Sequence, residues 1–341
     1  MAPELEETPQ PWDILRIVDG YRHAKVLLAA WRLDVVTPLA DHARTTAELA
    51  AELAVRPDAL RDVLHALVGL QLLTRDGDGR YHPTAAAEAY LSRSSRDNLG
   101  GLLNFLDEEL YPAWDGLVEH VRTGRPATAA ARADDPYGEL YQAPSARDAF
   151  LETMDFINTP LAEQLAALDW SGHHTIADIG GARGNLSAIL ARTHPHLTAT
   201  VFDLPRLRPA FDKHIAELGL ADRVAFRAGD FFHDPLPEAD ALILGHVLHN
   251  WPEQRRIALL AKAFDAVRPG GALYVYDAML DDDTPRLNNA LVSLDMRVWS
   301  AGGAEYTAQQ CAGWLAEVGF TSVTRHPHGR SSSVLIGRKP H

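Results

Sequence analysis

The sequence predicts a chain of two parts: a helical N-terminal domain carrying a small β-wing, then an α/β domain built on an open, mostly parallel sheet. Three observations carry this expectation. Periodicity from about residue 12 to 168 is almost wholly helical, short β-rich runs alternate with amphipathic helices from 175 onward, and 341 residues exceed what one hydrophobic core ordinarily serves. The change of character falls between Trp170 and His174.

In the first part, Thr45 and Glu48 form a capping box that opens a helix over 46–53, and Pro57 suits the first turn of a second helix running to residue 73. Leu60, Val63, Leu64, Leu67 and Leu70 give that helix one apolar face. Asp76-Gly77-Asp78-Gly79 tolerates positive φ and reads as the turn between two short strands. Helix, helix and wing make a winged-helix pattern. Further helices follow over 101–168, interrupted by a loop at 126–136, and Met154 and Phe156 are expected in their core.

The second part predicts strands at 175–180, 198–204, 224–230, 240–246 and 272–278, with helices from about 185, over 206–218 and over 253–268. Apolar strands separated by helices mean a parallel sheet covered on both faces. Segments 322–328 and 332–338 flank a Gly-Arg turn and predict a closing antiparallel hairpin.

Composition narrows the function. A net charge of −14 disfavours an electrostatic nucleic-acid binder, and on the predicted second helix Arg56 and Arg61 are opposed by Asp58 and Asp62. A winged-helix regulator is therefore the lesser reading. The single cysteine, Cys311, forms no internal disulfide, the acidic, Pro-bearing N-terminus is unlike a secretory signal, and no apolar run reaches 18 residues. These features predict a cytoplasmic protein with no membrane partner.

Open α/β sheets bind ligands at the carboxyl ends of their strands, so the first strand-to-helix turn is the most informative segment. Asp178-Ile-Gly180-Gly181-Ala182-Arg183-Gly184 lacks the glycine spacing of a dinucleotide fingerprint, and no Gly-Lys-Ser/Thr follows for a nucleotide phosphate. It nearly matches the Asp/Glu-x-Gly-x-Gly-x-Gly loop that accommodates S-adenosylmethionine, with Ala182 in place of the middle glycine. The next strand ends at Asp203-Leu204, where a carboxylate can accept both ribose hydroxyls, and the third at Asp230-Phe231, an acid for an adenine amino group beside a ring that can stack.

Beyond these, Leu244-Gly-His-Val-Leu-His249-Asn250-Trp251, Val267-Arg-Pro-Gly-Gly-Ala-Leu273 and Gly302-Gly-Ala-Glu305-Tyr-Thr307 follow in order. The whole chain thereby resembles the dimeric small-molecule O-methyltransferases, the caffeate and hydroxyindole type in its bacterial natural-product branch. The resemblance implies a Rossmann-like class I methyltransferase domain at 171–341, with a seven-stranded sheet and an antiparallel last strand. It implies a winged-helix dimerisation domain at 1–100 and linking helices at 101–170 that contribute to the substrate pocket. It places the catalytic base on His249, with Asp277 and Glu305 orienting it. Imidazole suits the task because it titrates near neutrality whereas a phenol titrates near 10. Asp178, Gly180, Gly181, Gly184, Asp203, Leu204, Asp230 and Phe231 are then the cofactor residues.

Met154, Asn250, Trp251, Met296 and Trp299 are candidates for clamping a small aromatic acceptor. The favoured activity is O-methylation of a phenolic or enolic hydroxyl by a homodimer. The alternatives are C-methylation of a phenol-containing amino acid or 2-oxo acid, metal-assisted through His249 with Asp277, Asp295 or Glu305, and a relative that binds the adenosyl ligand without methylating. No metal is expected. Strand alternation predicts that His246 and His249 point to opposite faces, and Asn250 is a poor ligand. The acid run that begins at Asp281 is expected to be merely solvated.

Overall fold

The computed structural model describes residues 10–126, 141, 144–281, 283–328 and 332–341. Contacts divide the chain after Asp107 into two compact units.

In the first unit the helix Thr46–Glu52 begins at a capping box in which Thr45 Oγ1 accepts from the Glu48 N–H and the Glu48 carboxylate accepts from the Thr45 N–H. The next helix, Pro57–Gly69, buries Leu60, Leu64 and Leu67. It stops four residues short of the expected end, because Gln71 turns into left-handed backbone (φ 60°) and Leu73 opens a strand. β1 (Leu73–Arg75) and β2 (Tyr81–Pro83) pair antiparallel about the Asp-Gly turn. Arg56 pairs with Asp58 and Arg61 with Asp62, so these arginines are neutralised within their own helix. The first helix, Pro11–Arg32, leaves Trp12, Ile14, Ile17, Val18 and Tyr21 more than half exposed.

The second unit holds a seven-stranded sheet in the order β5-β4-β3-β6-β7-β9-β8. β3 (Thr175–Ile179), β4 (Thr198–Asp203), β5 (Val224–Ala228), β6 (Ala239–Gly245) and β7 (Val267–Asp277) run parallel. β8 (Thr321–His328) and β9 (Ser332–Arg338) form the hairpin, and β9 lies antiparallel to β7. The Gly-Arg turn between them, and most of the expected loop at 126–136, lie outside the described residues. β7 starts earlier than its apolar run, since Val267 already pairs with Ala239 and a register shift sets residues 268–271 against Asp240 before pairing resumes at Ala241–Ala272. The central strands are almost uniformly buried, and the chain reverses direction across the sheet at β3, with β4 on one side and β6 on the other. That switch point opens a crevice at the strand ends. Among the described residues no helix is long and apolar enough to cross a membrane.

Candidate active site

The turn after β3 is drawn tightly over its own strand. A side chain on Gly181 would lie 2.5 Å from the Asp178 carboxylate, and one on Gly180 would meet Val247 at 2.9 Å and Phe231 at 3.9 Å. Only glycine permits that approach. Asp178 sits beneath the turn, buried, with Ser187 Oγ donating to it at 2.9 Å, and burial pushes its carboxyl up to about 7. Ala182 adopts φ 50°, the left-handed conformation that a middle glycine would take without strain. What holds it there is Asp203, whose Oδ2 accepts from the Ala182 N–H at 2.8 Å while Oδ1 accepts from the Leu204 N–H at 2.7 Å. Burial raises Asp203 to about 6. Each of its oxygens keeps a further lone pair, so the carboxylate can still accept from two vicinal hydroxyls. Gly184, at φ 84°, caps the helix Asn185–Thr193.

Asp230 is engaged differently. Its Oδ1 accepts from the Phe232 N–H and its Oδ2 lies 2.9 Å from His233 Nδ1, so the carboxylate first of all shapes its own turn. Phe231 stands edge-on to Phe232 and to Trp251, and Lys262 Nζ donates to the carbonyls of Phe231 and Asp234. Gly180, Gly181, Asp203 and Phe231 thus converge where β3, β4 and β5 end, and a bare backbone beside a carboxylate and a ring fits an adenosyl group.

The second cluster lies at the ends of β6 and β7. His249, on the short 3-10 turn Leu248–Asn250, directs Nδ1 to Glu305 Oε1 at 2.6 Å, with Asp277 Oδ1 at 3.5 Å from the same nitrogen. All three side chains are buried. Burial works against the imidazolium, but the two carboxylates outweigh it and His249 is raised to about 9, not near neutrality as expected from free imidazole. Asp277 in turn receives the Tyr306 hydroxyl, and burial raises its carboxyl. Glu305 Oε2 accepts from the Met279 N–H at 3.1 Å, and its own N–H donates to Ser293 Oγ.

His246 corrects the sequence reading. β6 ends at Gly245, His246 takes φ 53°, and the chain winds into the 3-10 turn, so strand alternation no longer applies. The two rings lie 5.4 Å apart, and His246 Nδ1 is 3.7 Å from Asp277 Oδ1. His246, His249 and Asp277 offer three ligand atoms within 4.8 Å of one another.

Arg256 was not singled out from the sequence. It is buried, donating to the carbonyls of Leu248, Trp251 and Ala304 and lying over the Tyr306 ring, and so ties the His249 turn to the segment that presents Glu305. An arginine one turn into a helix that follows the histidine motif was the available signal. Asn250 is buried and donates to the His246 carbonyl. Trp251 packs on the Phe231–Phe232 pair, whereas Trp299 stacks on Phe150, so the two tryptophans have different ring partners. Met154 and Met296 are half-buried. Phe156 is half exposed and outside the core, contrary to expectation. Asp295 accepts from Trp114 Nε1 at 2.8 Å, away from the histidine cluster's bonds. Asp281 is paired with Arg286 rather than merely solvated.

Residues 114–321 match the O-methyltransferase domain family, and residues 15–93 match the O-methyltransferase dimerisation domain. The tetracenomycin polyketide synthesis 8-O-methyl transferase TcmO of Streptomyces glaucescens is 41% identical over 332 residues, covering 97% of each chain. The N,N-dimethyltransferase OxyT of Streptomyces rimosus is 37% identical over 318 residues, covering 93% of this chain and 92% of that protein. The solved structure of human N-acetylserotonin methyltransferase in complex with S-adenosylmethionine superposes with a TM-score of 0.87 at 28% identity, covering 98% of this chain and 99% of the other. With the glycine turn, the strand-end acids and the histidine cluster in the same chain, the protein belongs to the S-adenosylmethionine-dependent O-methyltransferase family.

Proposed function

We propose that this enzyme methylates a phenolic or enolic hydroxyl of a small aromatic natural-product intermediate, with His249 as general base and Asp277 and Glu305 as its supports. The observation that carries the reading is the buried His249–Glu305 contact at 2.6 Å. With Nδ1 held by Glu305, Nε2 is the nitrogen left to accept the acceptor's proton. Bound S-adenosylmethionine supplies an electrophilic methyl on a sulfonium. His249 takes the hydroxyl proton as the oxygen bonds to that methyl carbon, and the carbon–sulfur pair leaves with sulfur. A base at about 9 lies within about one pKa unit of a phenol, where an ordinary imidazole lies about 3.5 below it. At about 1.4 kcal/mol per unit, the carboxylates make the proton transfer several kcal/mol less uphill, while leaving little neutral base at pH 7.

Asp203 and Leu204 are assigned to the ribose, Phe231 and Asp230 to the adenine, and Asp178, Gly180, Gly181 and Gly184 to the shape of the loop. Met154, Asn250, Trp251, Met296 and Trp299 are assigned to the acceptor pocket, to which residues 101–170 contribute; the Phe150–Trp299 stack and the Trp114–Asp295 bond support that linkage. The N-terminal hundred residues are assigned to a homodimer interface, supported by the dimerisation-domain match and the exposed apolar side chains of the first helix. A sedimentation mass of one chain would contradict it. The buried, unpaired Cys311 suits a reducing cytoplasm.

The reading needs no metal, because Glu305 and Asp277 hold and charge-stabilise the His249 imidazole on their own. Turnover abolished by EDTA and restored by a divalent ion would overturn that point. OxyT favours a second reading, in which an amine is the acceptor. Mass spectrometry of products from matched naphthol and aminonaphthalene acceptors separates the two. Calorimetric titration with S-adenosylhomocysteine tests the cofactor site: micromolar binding is expected, and a folded protein that binds neither this ligand nor S-adenosylmethionine would sink the assignment.

A further inference from the structure

The histidine cluster is underpinned by a buried amide that the proposed mechanism does not use. Asn289, on the helix Leu287–Trp299, is fully buried, and its Nδ2 donates to the carbonyls of Ala278 at 2.9 Å and Met279 at 2.6 Å. Two carbonyl acceptors fix the amide's orientation, since only its NH2 can donate. Oδ1 is then left buried with no hydrogen-bond partner, a penalty an apolar side chain would not carry. The backbone it grips is itself unusual. Met279 follows the end of β7 at φ 45°, a conformation disfavoured for a residue with a side chain. In that conformation its N–H points at Glu305 Oε2, whose partner oxygen holds His249. One helical turn beyond Asn289, Ser293 receives the Glu305 N–H, so one helix touches the glutamate directly through Ser293 and, by way of Met279, through Asn289.

We propose that Asn289 is a positioning residue for the base: by clamping the Ala278 and Met279 carbonyls it aims the Met279 N–H at Glu305 and so sets the carboxylate against His249. This rests on the reading of His249 as base. The titratable and charged groups about His249 are Asp277 from β7, Glu305, His246 from the segment after β6 and Arg256 from the helix Glu253–Ala266, with Tyr306 acting through Asp277. Asn289 carries no charge, so replacing it by a neutral residue changes none of these. Any change in the titration of His249 then reports geometry.

The test is an NMR titration of histidine-labelled full-length protein saturated with S-adenosylhomocysteine, with the His249 signal assigned by its loss in His249→Gln. Asn289→Leu is expected to lower the His249 pKa by about one unit, a tenfold loss of proton affinity, with S-adenosylhomocysteine affinity held within about twofold. Asn289→Ser, which keeps a small polar side chain at the site, is the companion variant and is expected to move it the same way. An unmoved His249 titration in either folded variant overturns the proposal. Methyl transfer from tritiated S-adenosylmethionine to 2-naphthol by His249→Ala separates the two ideas. A wild-type rate there sinks the base itself, whereas an inactive His249→Ala with an unmoved titration in the Asn289 variants sinks only the role of Asn289.

Discussion

The ends of β3 to β5 and the ends of β6 and β7 both gather buried carboxylates at one edge of the sheet, yet they hold them by different means. Asp203 is fixed by the backbone N–H groups of Ala182 and Leu204, and Asp178 by Ser187 on the helix that starts from the same turn. Asp277 and Glu305 are fixed by side chains and by Met279, in segments separated by 26 to 56 positions from their partners. The first cluster is held largely by backbone: Leu204 is the neighbour of Asp203, and Ala182 reaches it across the β3–β4 pair, 21 positions away. The second is assembled across the fold, and its acids converge on one imidazole nitrogen, with Glu305 also accepting from the Met279 amide. A binding site tolerates that first economy because it must present fixed donors and acceptors. A base needs its pKa moved, which takes charges brought close in a buried place.

The sharpest break between the regions is His249→Ala. It is expected to lower kcat by roughly 10² to 10⁴ while leaving S-adenosylhomocysteine binding intact. Full turnover in that variant would remove His249 from the chemistry. Asp203→Ala is the mirror experiment and is expected to weaken S-adenosylhomocysteine by roughly ten- to a hundredfold, the worth of one hydrogen-bonded charged acceptor. Unchanged calorimetric affinity would remove Asp203 from the ribose site.

Glu305→Gln sharpens the comparison through pH. The neutral imidazole is the active form, so wild-type activity should rise as pH climbs through about 9. Removing the carboxylate weakens the hold on the proton, and the rising limb should move to lower pH. The same linkage appears in stability. Because the folded His249 value lies above 6.5, its contribution is fully present below that pH and fades as pH rises through about 9. Denaturation midpoints of Glu305→Gln should therefore fall less between pH 6 and 10 than those of the wild type. The smallest effect expected is at Ala182→Gly. Relief of left-handed strain should stabilise the protein by about 1 kcal/mol, less the entropy of the added glycine, read by urea unfolding. Destabilisation would mean that the Ala182 methyl packs usefully.

How much was legible follows from the same contrast. The glycine turn, Asp203 and Phe231 were readable because each is tied to a strand end by a few residues of local sequence. His249, Asp277 and Glu305 were readable only through the ordered motifs of the family resemblance, and their shared contact at one imidazole nitrogen was not. His246 was misplaced because the periodicity of a strand was carried one residue past its end, where φ turns positive. Arg256 was marked only by its place one turn into the helix after the histidine motif, and Asn289 by nothing, since their partners are backbone carbonyls whose positions no local pattern encodes.

By itself the sequence determined the parallel sheet with its antiparallel close and the glycine turn after its first strand, because hydrophobic periodicity, caps and glycine spacing act over a few residues, whereas the contacts divide the chain after Asp107 rather than at the change of periodicity near residue 170. Only the tertiary structure decided the upward shift of His249, the proximity of His246 and the support of Glu305. These depend on burial and on Coulomb interactions between groups far apart in the chain, and such interactions are fixed by distance in the folded molecule rather than by separation along it.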